Sequence, residues 1–149
     1  MALGYTTYKT PNAIFTINSD LTDKEGCGVY LLDQGKVAVA YQLTDVPYGI
    51  VTVGGPSEDG VTYPGLIGGS SVEFVDMLGC TVQVAISGDQ AVTAGQFLWI
   101  DEGYADGTFT PAAPNQIGQW IWGLALTNCN AGERCLMRFQ PTYVWYIAP

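Results

Sequence analysis

The sequence predicts an all-β fold: a small β-barrel or sandwich built from two similar β units, with an extended N-terminal arm. Three observations predict it. Several short runs place apolar residues at every second position, the period of a strand with one buried face. Nineteen Gly and eight Pro punctuate those runs at short intervals. The third observation is that one succession of elements occurs twice. Val29–Asp33, a Gly, the alternating Lys36–Tyr41, a polar gap and Gly49–Thr52 form the first copy. Phe97–Asp101, Asp106-Gly107, Thr108–Thr110, a polar gap and Gly123–Thr127 form the second, with different loop lengths.

Taken in order, residues 1–20 are rich in Thr, Tyr and Asn and read as the extended arm, with a brief alternation at Ala13, Phe15 and Ile17. Residues 21–149 read as a single β-rich domain, with the repeat at about 26–63 and 94–139. Val37, Val39 and Tyr41 share a face of one strand, and Val82, Val84 and Ile86 share a face of Thr81–Ser87. Gln119–Thr127 alternates Trp120, Trp122, Leu124 and Leu126 against Ile121, Gly123 and Ala125, so it reads as buried on both faces or as one face at an interface. Cys135–Phe139 and Thr142–Ile147 read as two further strands. Asp33-Gln34-Gly35, Glu58-Asp59-Gly60, Ser87-Gly88-Asp89 and Asp106-Gly107 are turns, because Gly and Asp tolerate the positive φ of tight turns. Gly54–Gly69 is a Gly- and Pro-containing loop between the halves. Ser71–Leu78 reads as a helix, capped by Ser70 or Ser71 and stopped at Gly79, or equally as a strand.

Composition narrows the function. Hydrophobic residues make up 48% of the chain, enough for a real core, while charged residues are only 13%, about half the usual share. Nine Tyr and four Trp in 149 residues point to surface buried against another protein. The formal charge is −9, and Lys9, Lys24, Lys36, Arg134 and Arg138 form no stripe. That argues against nucleic acid, whose phosphates need clustered cations, and against an anionic membrane. The N-terminus lacks a basic region followed by an apolar run, and no stretch approaches the roughly 20 apolar residues of a membrane span, so synthesis in a cytoplasm is expected. In that compartment Cys27, Cys80, Cys129 and Cys135 are expected to be reduced, although Cys129 and Cys135 flank a turn and could pair under oxidising conditions.

The sequence holds little chemistry. There is no histidine, which removes the commonest general base and metal ligand. No Walker loop or dinucleotide fingerprint is present. A zinc site would need all four cysteines or carboxylates. Asp101/Glu102 and Glu58/Asp59 are paired carboxylates of the kind that hydrolyse glycosides. Beside Gly, they read first as turn residues. Trp99, Trp120 and Trp122 could stack on sugars, but inside apolar strands they read first as core or subunit interface. No enzyme activity, cofactor or metal is expected.

The run TVQVAISGDQAVTAGQFLWID, followed by DGTFTPA and WGLALTNCNAGERCLMRF, resembles the capsid cement (head decoration) proteins of tailed bacteriophages. The marks are Val92-Thr93-Ala94-Gly95, Asp101, Asp106-Gly107, Pro111-Ala112, Gly123-Leu124-Ala125 and Ala131-Gly132-Glu133. They span about 40% of the chain, residues 81–139, and extend faintly to 26–63 through the repeat. The resemblance implies a non-catalytic homotrimer made in a bacterial cytoplasm. It would sit on the outer surface of an icosahedral shell, bind the major capsid protein and cement neighbouring capsomers. On that reading Tyr5, Tyr8, Ile14 and Phe15 of the arm are candidate capsid contacts. Trp120, Trp122, Tyr143 and Trp145 are candidate trimer-interface residues. The alternative is a glycan- or host-surface-binding β module of a phage fibre or tail.

Overall fold

The computed structural model describes residues 16–17, 21, 24–32, 36–51, 74–75, 79 and 81–149. These form two β-sheets packed as a sandwich, with no helix among the described residues. The first sheet contains β1 (Thr16–Ile17), β2 (Gly28–Leu31), β3 (Lys36–Val39), β4 (Pro47–Val51) and β5 (Phe74–Val75), in the order β1-β3-β2-β4-β5. The second contains β6 (Thr81–Ala85), β7 (Phe97–Ile100), β8 (Phe109–Pro111), β9 (Trp120–Ala125) and β10 (Arg134–Tyr143), in the order β6-β10-β9-β7-β8.

The doubled sequence pattern is a doubled topology. In the first sheet β2 pairs with β3 and β4, and β4 pairs with β5, all antiparallel. In the second sheet β7 pairs with β8 and β9, and β9 pairs with β10, again all antiparallel. Each unit therefore places its first strand in the middle, its second on one flank, and its third and fourth on the other. What differs is the strand added to each unit. β1 joins the first sheet in parallel beside β3, and β6 joins the second antiparallel to β10.

Several expected boundaries shift. Ser71–Leu78 contributes the two-residue strand β5 at Phe74–Val75, and its remainder lies outside the described residues, as do residues 1–15 and the 54–69 loop. Of the two strands expected at Cys135–Phe139 and Thr142–Ile147, the first and Thr142–Tyr143 of the second form one strand, β10, with a register shift between Phe139 and Thr142, and residues 144–147 are not in a strand. Pro141 has no N–H to give to a ladder, so the extra residue of a bulge is where a mid-strand Pro can sit.

The second sheet curls until its edges meet. Ile86 bridges Phe109 in parallel, and the Ser87 N–H donates to the Phe109 carbonyl at 2.9 Å. The sheet does not close as a barrel, because residues 26–28 of the first sheet enter the rest of the seam. The Ala85 N–H donates to the Gly26 carbonyl at 3.0 Å, and the Gly28 N–H donates to the Gly107 carbonyl at 2.9 Å. This entry requires glycine. Gly26 has φ +80, and a Cβ there would lie 2.7 Å from the Ala85 nitrogen. A Cβ on Gly28 would lie 2.7 and 2.9 Å from the ring of Trp122 and 3.0 Å from Ile100.

The main core fills the space thus enclosed. Val82, Val84, Leu98, Ile100, Phe109, Trp122, Met137 and Phe139 are buried there, with Ala40 and Ile50 contributed by the first sheet. Trp122 meets Phe109 edge-on at 5.5 Å between centroids and Phe139 at 6.4 Å. A smaller cluster of Leu21, Val29, Val37 and Val51 packs apart from this core.

Gly28→Ala forces a methyl group against the Trp122 ring in a filled core. It is expected to lower unfolding free energy by about 1–3 kcal/mol. Chemical denaturation checks this, and an unchanged midpoint would remove the seam contact from the account.

Candidate interaction surface

Asp45, Asp101, Glu102 and Asp106 hold turns. Asp101, at the end of β7, is buried. Its Oδ2 accepts from the Ser87 hydroxyl at 2.6 Å and its Oδ1 from the Gly103 N–H at 3.0 Å. Glu102 Oε2 accepts from the Leu43 N–H at 3.0 Å, and the Leu43 carbonyl accepts from the Trp120 N–H at 2.8 Å. The Asp101/Glu102 pair thus braces one turn and ties the β3–β4 loop to β9. Asp45 Oδ2 accepts from the N–H groups of Tyr41 and Gln42, both at 2.9 Å. Asp106 Oδ1 accepts from the Thr108 N–H at 3.1 Å and its hydroxyl at 2.5 Å. Glu58 and Asp59 lie outside the described residues. Among the described residues, no three His, Cys, Asp or Glu side chains group as metal ligands would.

Cys27, Cys129 and Cys135 are free thiols. Burial pushes the Cys27 thiol up to about 11, with smaller opposed effects from Lys24 and Asp106. Burial, and then the neighbouring Cys135 thiol, push Cys129 up to about 11. Cys135 donates from its sulfur to the Thr127 carbonyl at 3.2 Å. Cys80 lies outside the described residues.

The surface that stands out is aromatic and uncharged. Residues 107–132 and 139–149 contain no charged side chain, and pairing β9 with the end of β10 brings the two stretches together. Tyr143 faces Trp120 across the strands, with ring centroids 5.2 Å apart at 62°. Trp145 and Tyr146 follow, their rings 5.8 Å apart and tilted by 43°. Trp145 is 74% exposed, Tyr146 61% and Tyr143 45%. Between them Val144 is buried and pinned. Its N–H donates to the Gln119 carbonyl, and its carbonyl accepts from the Gly118 N–H, both at 2.8 Å. Gln119, itself buried, shapes the adjoining loop. Its Oε1 accepts from the N–H groups of Asn115 and Gln116, and its Nε2 donates to Asn115 Oδ1 at 2.8 Å. That loop presents Ile117, 63% exposed. Pro114, Ile121 and Thr142 complete the lining of a shallow cleft of about 220 Å³ against Tyr143–Tyr146.

Such a surface carries no acid–base pair and no anion cradle. What it offers is area. At 150–250 Å² per aromatic side chain, the exposed parts of Tyr143, Trp145 and Tyr146 amount to roughly 300–400 Å². That is within the size range of patches that are often functional, and about half of one face of a standard protein interface.

The structure divides the four residues expected at a subunit interface. Trp120, Tyr143 and Trp145 meet on this surface. Trp122 does not: it is fully buried within its own chain beneath Gly28, and has no surface to give a partner. Tyr146, Ile117, Ile121 and Pro114 join the surface without having been singled out by sequence. The trace they leave in the sequence is the pair of long charge-free stretches in which they lie. Tyr5, Tyr8, Ile14 and Phe15 lie outside the described residues.

Neither a protein-family model nor a curated protein matches the chain. Among solved structures it matches the N base of the head fiber gp8.5 of bacteriophage phi29, with a TM-score of 0.53 at 16% identity. The two share a fold. The likeness covers 86% of this chain and 92% of the phi29 fibre base. It therefore exceeds either β unit alone and takes in both sheets.

Two outcomes separate core from surface. Trp122→Ala is expected to cost about 3–5 kcal/mol, and Trp145→Ala to stay within about 0.5 kcal/mol of the parent. Denaturant titration checks both, and equal losses would contradict the division. The thiolate of Cys27 should be about a hundredfold scarcer at pH 8 than that of an ordinary cysteine, given a shift from 9.0 to about 11. Iodoacetamide at that pH should leave Cys27 unmodified in the native protein by mass spectrometry. Labelling at the rate of a free peptide thiol would contradict its burial.

Proposed function

We propose that this chain is a structural protein of a tailed-phage virion. It binds the outer surface of the capsid as a homotrimer and cements neighbouring capsomers, without catalysis. The observation that carries this reading is the fold shared with a phage head-fibre base across both sheets. The cement-protein pattern over residues 81–139 supports it independently. So does the net charge of −9, which suits the outside of a shell better than its DNA-filled interior. The chain would be made in the cytoplasm of the host bacterium and act by buried area alone.

Two surfaces are assigned on this reading. The uncharged aromatic surface of Trp120, Tyr143, Trp145 and Tyr146 joins copies of the chain. Like-charged copies repel, and a face without charged side chains is where they approach at least electrostatic cost. Tyr5, Tyr8, Ile14 and Phe15 of the N-terminal arm contact the major capsid protein. Three arms on one trimer give avidity without strong individual contacts.

A second reading, a glycan-binding module of a phage fibre, is favoured by the exposed rings of Trp145 and Tyr146, which suit stacking on sugars. A glycan array separates the two: specific hits that disappear with Trp145→Ala would favour the fibre module.

The cement reading is tested by co-sedimentation with empty capsids of the phage that encodes the chain. The protein is expected to pellet with the shells and raise their thermal disruption temperature. Deleting residues 1–15 spares β1 and is expected to abolish pelleting while leaving the trimer assembled. Normal decoration by the truncated protein would remove the arm from the capsid contact.

A further inference from the structure

A trimer closed by threefold symmetry sets a requirement that the aromatic surface alone does not meet. Each contact in a ring is heterologous: a patch on one copy meets a different patch on the next. If the aromatic surface is one side of that contact, the chain must carry a second, complementary surface elsewhere.

The outer side of the second sheet offers one. Phe97, Leu124, Arg138 and Thr81 are successive cross-strand neighbours on β7, β9, β10 and β6. Phe97 is 55% exposed, Leu124 is half-buried and Arg138 is exposed. Among the described residues the Arg138 side chain makes no hydrogen bond or ion pair, whereas Arg134 on the same strand is paired with Glu25 at 3.5 Å. An exposed guanidinium in a row with Leu124 and Phe97 is the chemical complement of exposed, electron-rich aromatic faces. Arg stacks on such faces through both its charge and its planar shape.

The two surfaces are separated in the required way. Trp120, Trp122 and Leu124 alternate along β9. Trp122 is covered by the first sheet at Gly28. Trp120 and Leu124 therefore emerge on either side of that attachment, one with the aromatic surface and one with the Arg138 row. On β10 the bulge between Phe139 and Thr142 divides Arg138 from Tyr143 in the same way.

We infer that Arg138, with Phe97 and Leu124, receives the aromatic surface of the next copy, the guanidinium stacked on that copy's Trp145 and Tyr146 rings. The inference rests on the homotrimer reading and names the second half of its interface.

Sedimentation of the purified full chain tests it. Arg138→Glu and Trp145→Ala both alter exposed side chains, and unchanged thermal transitions would verify their folding. Each is expected to weaken the contact between copies by at least about tenfold and to convert the trimer to monomer. The deciding measurement is an equimolar mixture. The Arg138→Glu copy keeps its aromatic surface and the Trp145→Ala copy keeps its arginine, so one good contact re-forms and a species of two copies appears. If Arg138→Glu sediments as the parent trimer while Trp145→Ala does not, this inference fails and the trimer reading stands. If both variants dissociate but their mixture stays monomeric, the two residues do not meet across the contact and the inference fails. A parent protein that is monomeric throughout overturns the trimer reading and this inference with it.

Discussion

The structure depends on a backbone segment lying against a ring. Residues 26–28, at the start of β2, enter the open seam of the second sheet and bring Gly28 against the Cζ3–Cη2 edge of the Trp122 ring. Neither sheet is complete without this contact. The second sheet's edges meet only at Ile86 and Phe109, and its core would otherwise be open along β6 and β8. Among the described residues, the first sheet and its loops contribute Ala40 and Ile50 to the main cluster of buried residues. The cost of the arrangement falls on Trp122, whose buried Nε1 has no hydrogen-bond partner. An unpaired buried donor costs about 1–3 kcal/mol. Burying 150–250 Å² of ring returns about 4–6 kcal/mol. Burial therefore wins, and the ring stays where the glycines let the backbone reach it.

The same economy shows in how the described acids are used. In a chain of short strands, turns outnumber other elements, and each leaves backbone N–H groups without a ladder. Asp45, Asp101, Glu102 and Asp106 satisfy those groups, and Glu133 does so for Asn130. A carboxylate accepting such bonds has its position fixed by the turn. Asp45, Asp101, Glu102 and Asp106 thus sit at turns, while residues 107–132 and 139–149, which include β9 and the end of β10, carry no charged side chain.

Much of this was legible in the sequence, and the rest was not for identifiable reasons. Period-two alternation found β6 and β10, where Val82 and Val84, and Cys135, Met137 and Phe139, are buried as expected. The doubled succession found the doubled strand order. Alternation is a local signal, however. It places Trp120 and Trp122 on one face and cannot say that the first sheet covers one of them and leaves the other half-exposed. That distinction comes from a contact with Gly28, more than 90 residues away in the chain. Pro141 divides one strand into two apparent ones because a sequence pattern records its missing N–H but not the bulge that accommodates it. Arg138 and Ile117 carried no motif. Their interest lies in what surrounds them, which only the pairing of strands decides.

The edges of the sheets bear on how such a protein associates. A long exposed edge strand recruits another chain through its backbone, with little regard for sequence. Here the first sheet ends in β1 and β5, two residues each, and the second turns its edges β6 and β8 toward one another. Backbone pairing between copies has little to work with. In the proposed trimer, association would then go through side chains, and so through faces whose composition the sequence can tune. On a chain of net charge −9 with few cations, the described residues offer two such faces: an aromatic one without charge, and one with Arg138 in a row with Leu124 and Phe97. Contacts made this way specify orientation as well as affinity, because a guanidinium stacks on a ring in a limited set of geometries. The proposed cement role, one defined place on a repeating capsid surface, would need that property more than strength in any single contact.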